Sequence, residues 1–284
     1  MITIKVPATL GNFGPGVASL GMALDLSLTV EIIEASNVWV VEHNLGDTIP
    51  YDETNYIVAV AKKLYPDITP HVLRVTSDIP LRQGLGSSTA ALLAAIELAN
   101  QLGELGLDDY TKLTLAARTE GQPANVTAAL LGGVTASYLN DGNVFASGVV
   151  APEYQAVIYL PEYQRGDKAD KPTEIALADA TATAAAGNML LAAWQSQQLV
   201  LAGQLLETDN IQRAVINDVP ELGKIRQTSH ALDVYGSVVA GDGPAVVTLV
   251  APNQTQDLLD VLAYLELPGE FKVVDIAGTG LTVF

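Results

Sequence analysis

Gly84, Gly86, Ser87 and Ser88 form the most chemically suggestive spacing in the chain, within Pro80-Leu-Arg-Gln-Gly84-Leu85-Gly86-Ser87-Ser88-Thr89-Ala90. The glycines let the backbone turn sharply and leave its N–H groups bare. The serines fall where a helix takes its N-cap oxygens. The first N–H groups of that helix lack partners of their own, and the helix dipole favours negative charge there. A phosphate chain is the natural occupant. No Lys follows the glycines, so this is not a Walker A loop, and the charge of a bound nucleotide would be met by backbone dipoles and a metal ion. Plainer readings exist. A Gly-x-Gly turn often only joins a strand to a helix, and a dinucleotide fold fits poorly, because Thr89 stands where its third glycine belongs.

Two more Gly-rich bends stand beside strand-like segments: Val6-Pro7-Ala8-Thr9-Leu10-Gly11-Asn12-Phe13-Gly14-Pro15-Gly16, and Gly236-Ser237-Val238-Val239-Ala240-Gly241-Asp242-Gly243-Pro244-Ala245. Ordinary turn chemistry would explain either one alone; three such elements in this order are much harder to reach by accident. Composition narrows the classes. The 284 residues fit one large domain or two fused lobes, and 49% hydrophobic content supports a sizeable core. Lys and Arg total 14 against 32 Asp and Glu, a formal charge of −18. That field repels nucleic acid and anionic membranes, and nucleotides too, which makes Mg²⁺ the more necessary if the loop binds one. The absence of cysteine excludes disulfides, thiolate zinc sites and Cys nucleophiles. Met1 to Pro7 lacks a basic region followed by an apolar block, so no signal peptide is expected. The Ala/Leu-rich stretch from Ala176 to Leu206 is broken by Asn188, Gln195, Ser196, Gln197 and Gln198, and reads as buried helix rather than a membrane span. A cytoplasmic protein is the default expectation.

The elements that must position these loops follow from periodicity. Ile2 to Val6, Leu26 to Ile33, Val38 to Glu42 and His71 to Ile79 read as strands. Asn55 to Leu64 has helical spacing. Ser88 to Leu102 is apolar on nearly every side and should be a buried helix. Asp108 to Glu120 and Asn125 to Leu131 read as two more helices, and Val134 to Leu139 with Val144 to Val149 as a hairpin across Asn140-Asp141-Gly142-Asn143. A second lobe is expected from about Pro152, giving domains over 1–151 and 152–284. It holds a strand over Ala156 to Leu160, an exposed loop over Tyr163 to Pro172, and two or three helices through about Arg226. Strands over Ser237 to Ala240 and Ala245 to Val250, a helix over Gln254 to Leu265 and two short closing strands complete it. Strands and helices mixed in this order indicate an α+β protein of two lobes.

The chain resembles the GHMP superfamily of small-molecule kinases over its whole length, and within it the homoserine kinases. The resemblance rests on Pro7-Ala8-Thr9 with Asn12 and Gly14-Pro15-Gly16, continuing as Ser19-Leu20-Gly21. It rests also on Pro80 with Gly84 to Ser88, on Glu120-Gly121 with Pro123, Asn125 and Val126, on Leu131-Gly132-Gly133, and on Gly241 with Gly243-Pro244. It implies a ribosomal protein S5 domain 2-like N-terminal lobe, a ferredoxin-like C-terminal lobe, and transfer of the ATP γ-phosphate to the hydroxyl of L-homoserine in threonine synthesis. Pro80, Gly84, Leu85, Gly86, Ser87, Ser88, Thr89, Gly241 and Gly243 would then bind ATP. Ser88 and Glu120 match positions that hold Mg²⁺, a hard cation that takes oxygen ligands. Asn12 and Asn125 match pocket positions beside the acceptor and are the candidate catalytic pair, with Gln122 and Arg213 joining them in substrate binding. Each has a bland alternative: Ser88 as a cap, Glu120 as a helix end, the asparagines as partners of backbone groups, Arg213 as a solvated charge. Such folds commonly form homo-oligomers, which leaves a homodimer as a possible assembly.

Departures from the family pattern gather in the acceptor pocket. The family's Gly-Phe-Asp-Ser-Leu-Gly is here Gly16-Val17-Ala18-Ser19-Leu20-Gly21, and its Glu-Gly-His-Pro-Asp-Asn is Glu120-Gly121-Gln122-Pro123-Ala124-Asn125. An arginine expected near Thr173 to Leu177 is missing, and the serine of the last Gly-rich turn is Asp242. A buried zwitterion needs both charges paired. Two other readings therefore stand beside the first: a kinase of the same fold acting on a less charged alcohol, and a nucleotide-binding protein without phosphotransfer. His43, His71 and His230 are expected at the surface or satisfied in the core, not in catalysis.

Overall fold

Alternating apolar and polar residues open the chain as β1 (Ile2–Gly11), which pairs antiparallel along its whole length with the long β2 (Leu20–Ala35). A computed structural model describes residues 1–164, 174–208 and 219–284. The register of β1 against β2 shifts between Pro7 and Ala8, where proline has no N–H to give to a ladder. The strands run further than periodicity suggested. β1 continues through Pro7 to Gly11, and β2 begins six residues before Leu26, where Gly21 and Asp25 hide the alternation.

The length of β2 lets it carry two neighbours on one side. β4 (His71–Ser77) pairs with its second half, and β5 (Val134–Asn140) with Leu20 to Met22. The sheet is completed by β3 (Val40–His43), parallel to β4, by β6 (Asn143–Val149) beside β5, and by β11 (Thr282–Val283) beside β1. β5 and β6 turn on Asp141 and Gly142, both with positive φ (48° and 76°), as a two-residue hairpin requires.

Four helices cover this sheet: α1 (Tyr56–Leu64), α2 (Ser87–Leu102), α3 (Asp109–Glu120) and α4 (Ala124–Leu131). Asn55 starts α1 by accepting a hydrogen bond from Ile57 N at 3.0 Å, and Asp108 starts α3 by accepting one from Thr111 N at 2.8 Å. α2 is buried on nearly every side. Ala90, Ala94, Ala95 and Ala99, all 0% exposed, let sheet and helices approach it closely.

A second, antiparallel sheet runs β10 (Gly269–Asp275), β7 (Gln155–Pro161), β9 (Val246–Val250), β8 (Ser237–Val239). β7 shows period two with both faces buried. Ala156, Ile158 and Leu160 join the core shared with the first sheet. Val157 and Tyr159 join a smaller core with α7 (Glu221–His230) and α8 (Thr255–Ala263). Between β7 and β8 in the chain come α5 (Leu177–Gln195) and α6 (Leu199–Leu206), which bring Leu190, Trp194, Ala202 and Leu206 into the shared core. After β10 the chain recrosses to the first sheet. Ala277 N donates to Ala23 O at 3.0 Å, Leu281 N to Ala129 O at 2.8 Å, and Thr3 and Phe284 exchange backbone hydrogen bonds of 3.1 and 2.9 Å. The architecture is α+β, as expected. Of the expected loop from Tyr163 to Pro172, all but Tyr163 and Gln164 lie outside the described residues, as do Arg213 and Thr173. Among the described residues no helix is long and apolar enough to cross a membrane.

Candidate functional site

Gly86 is the N-cap of α2, in a left-handed conformation with φ +75°, and no side chain caps the helix. The expectation that Ser87 or Ser88 caps it is therefore corrected: they are its first and second residues. The reason is steric. The chain must turn left-handed to enter the helix, and a Cβ at the turn would overlap the buried Oγ1 of Thr9. Only glycine meets both demands. Neither serine hydroxyl has a partner among the described residues, and both serines line a cleft of about 810 Å³ at the helix N-terminus. That volume suits a small ligand with its cofactor.

The loop before α2 is fixed on both sides. Thr9 N on β1 donates to Leu85 O at 3.1 Å, and Ala245 N donates to Gln83 O at 3.3 Å. Gln83 Nε2 reaches Tyr163 O at 3.3 Å. Gly84, φ +83°, packs against the Ala240 carbonyl so closely that a Cβ would overlap it. The turn between β8 and β9 thereby meets the phosphate-type loop, and Gly241, Asp242 and Gly243 line the same cleft. The three Gly-rich segments converge at one place, and the fold brings them there through backbone hydrogen bonds.

Glu120, the last residue of α3, faces this loop. Thr89 Oγ1 donates to Glu120 Oε1 at 2.6 Å, which sets the carboxylate beside Ser88 and the N-terminus of α2. Among the described residues no three His, Cys, Asp or Glu gather to form a metal cage. One carboxylate and one free hydroxyl beside an anion cradle suit Mg²⁺, which uses few protein ligands and completes its shell with phosphate oxygens and water. Tyr56, at the start of α1, also lines the cleft; burial and the charge of Glu120 raise its phenol above the usual range.

The far side of the cleft is built from carboxamides. Asn12, 9% exposed with φ +59°, accepts from Ala18 N through Oδ1 and donates from Nδ2 to Gln122 Oε1, each at 2.6 Å. It thus satisfies a backbone group and orients a pocket side chain together. Asn125 Oδ1 is buried with no partner, pressed against Gly11, where a Cβ would overlap it. An acceptor buried without a donor carries a cost unless a ligand supplies the donor. Ala124 is 0% exposed and Ala18 exposed, so of these two departures only Ala18 can reach a solute.

The cleft thus collects Asn12, Gly84, Gly86, Ser87, Ser88 and Thr89 with Glu120, Gln122, Asn125, Gly241 and Gly243. Pro80 does not line it, and the Leu85 side chain, 1% exposed, belongs to the core. The three histidines lie elsewhere: His43 stacks on Tyr51, His71 tilts toward Trp39, and His230 bonds Glu207 at 2.8 Å. Sequence reasoning missed Tyr56, Arg82 and Thr119 in the cleft lining. The signal for Arg82 was its place two residues before Gly84; Tyr56 had none, since only the packing of α1 brings it near.

Comparison with known proteins agrees in extent and detail. The family model for the N-terminal domain of GHMP kinases matches residues 55–133. The homoserine kinase of Limosilactobacillus fermentum is 39% identical over 284 residues, 99% of each chain. That of Leuconostoc mesenteroides is 38% identical over 100% of this chain and 99% of its own. Among solved structures, a candidate homoserine kinase from Listeria monocytogenes superposes with a TM-score of 0.92 at 36% identity, covering 100% of this chain and 99% of that one. The homoserine kinase of Cytophaga hutchinsonii, at 21% identity and a TM-score of 0.82 over 100% and 97% of the two chains, shares the fold.

Proposed function

The chain belongs to the homoserine kinase family of the GHMP kinases, and from that premise we propose that it transfers the γ-phosphoryl group of ATP to the hydroxyl of L-homoserine. The products are O-phospho-L-homoserine and ADP: an oxygen–phosphorus bond forms at the acceptor as the bond to the ADP oxygen breaks. The observation that carries this is the convergence of three Gly-rich turns on the N-terminus of α2, opposite a carboxylate held by Thr89. In this proposal the backbone N–H groups from Gly84 to Thr89 hold the triphosphate. Ser88 and Glu120 hold Mg²⁺, which when bound offsets phosphate charge. Asn12 and Gln122, locked to each other, orient the acceptor, and Asn125, which lines the cleft beside them, helps to enclose it. Phosphoryl transfer depends mostly on positioning and charge neutralisation, so a primary alcohol held in line needs no strong base. Arg213, outside the described residues, remains the proposed grip on the substrate carboxylate. A division into an ATP-binding domain to about residue 151 and a C-terminal domain after it, and a cytoplasmic enzyme of threonine synthesis, belong to the same proposal.

One observation favours a second reading. Among the described residues that line the cleft, the acceptor side carries three carboxamides, Asn12, Gln122 and Asn125, and no charged group to pair an ammonium. A less charged alcohol would suit it. The test is ADP release from Mg-ATP with L-homoserine and a panel of small alcohols, with the phosphorylated product identified by mass. Turnover on L-homoserine supports the first reading; turnover on another alcohol alone supports the second; nucleotide binding without turnover on any acceptor overturns both. Ala18→Asp sharpens it. Aspartate tolerates the φ of +58° at this position better than alanine does. Its charge should lower KM for L-homoserine about tenfold, the effect of roughly 1.4 kcal/mol. An unchanged KM would count against a homoserine-shaped pocket.

A further inference from the structure

Arg82 is the one cationic side chain among the described residues that line the cleft, and no hydrogen bond or ion pair engages it. The other described arginines are all engaged: Arg74 holds a carboxylate, and Arg118 and Arg226 each hold a backbone carbonyl. In a chain with 32 acidic residues and 14 basic ones, an unpaired guanidinium in a cleft that also contains Glu120 and Asp242 needs a reason. The backbone adds another. Arg82 adopts φ +58°, a conformation that costs energy for any residue with a Cβ and that persists when the surroundings impose it. The surroundings do impose it: the next residue, Gln83, is held through its carbonyl by Ala245 N and through its side chain by Tyr163 O.

Resting on the kinase reading above, we propose that Arg82 is a nucleotide-phosphate ligand. Its guanidinium supplies the positive charge that a lysine supplies in a Walker A loop and that the glycines and serines here cannot. Guanidinium and phosphate match as charge-assisted, two-pronged hydrogen-bond partners. The same chemistry would suit the carboxylate of an acceptor. Position decides for phosphate: Arg82 belongs to the glycine loop itself, whereas the acceptor side of the cleft comes from Asn12, Gln122 and Asn125.

The experiment is calorimetric titration of Mg-ATP and Mg-ADP into the protein and its Arg82→Gly and Arg82→Lys variants, with KM for each substrate measured alongside. Glycine accepts the left-handed backbone without strain, so Arg82→Gly removes the guanidinium and keeps the loop. The expected result is about tenfold weaker Mg-ATP binding in Arg82→Gly, the size of one charge-assisted hydrogen bond. Arg82→Lys should lie between; both variants should keep the acceptor KM, and Arg82→Gly should melt at an equal or higher temperature. Equal Mg-ATP affinity in Arg82→Gly would overturn the inference, as would a rise in the acceptor KM alone, which would give Arg82 to the carboxylate. If the unsubstituted protein bound no Mg-ATP, the kinase reading would fall, and this one with it.

Discussion

Thr89 offers the cleft a single hydroxyl, and that hydroxyl is committed to Glu120 at 2.6 Å. With Thr89 at 3% exposure, valine would fill the same space and remove only the hydrogen bond. A hydrogen bond to a charged group contributes about 1.5–3 kcal/mol, and here its loss frees the carboxylate to move from Ser88. Thr89→Val should therefore raise the Mg²⁺ concentration for half-maximal activity by about tenfold, with the KM for L-homoserine unchanged. A kinetic titration of Mg²⁺ at saturating ATP checks this; an unaltered Mg²⁺ requirement would mean that Glu120 is positioned by other contacts.

The two elements that meet at this pair are also joined at a distance from it. On α2, Glu97 is 1% exposed, and Lys112 Nζ on α3 lies 2.7 Å from its Oε2. Asn100 and Gln101 donate to the other oxygen at 3.0 and 2.6 Å. Removing one member of such a buried pair strands a charge. Lys112→Met should cost about 3–5 kcal/mol in urea unfolding, and the double change Glu97→Leu with Lys112→Met should recover most of it. If the single variant unfolds like the parent, the pair is screened in a way its burial does not suggest. Neither residue drew attention in the sequence, because a Glu in an alanine-rich helix and a Lys four residues past an N-cap look like solvated charges. Periodicity and turn residues did locate all four helices that cover the first sheet to within a residue at each end. They also located the convergent loops, because glycine, proline and cap residues act locally. What they could not locate was set by tertiary contact. The extension of β2 back to Leu20 depends on pairing with β5, the cap of α2 on the space above Thr9, and the place of Tyr56 on how α1 packs.

Across the whole molecule, two tyrosines tie stability to alkaline pH. Burial pushes the Tyr154 phenol up to about 12, and it pushes Tyr159 to about 12 as well, with Glu221 and Glu162 adding to the effect. Both phenols release protons more readily when the chain is unfolded. Their contribution is thus complete below pH 10 and is lost as pH rises from 10 to 12. Denaturation midpoints should fall across that window, and tyrosinate absorbance should show these two titrating above the exposed ones. A single titration near pH 10 for every tyrosine in the folded protein would contradict it. The return of the chain from β10 to β11 has a consequence in time. Lys5 pairs with Thr282, so at ~5–20 residues per second the ribosome needs about 14–55 s between making one partner and making the other. Throughout that interval β1, the strand that carries Thr9 and leads into Asn12 at the cleft, has an open edge, and a nascent chain depends on whatever shields that edge until Thr282 and Val283 emerge.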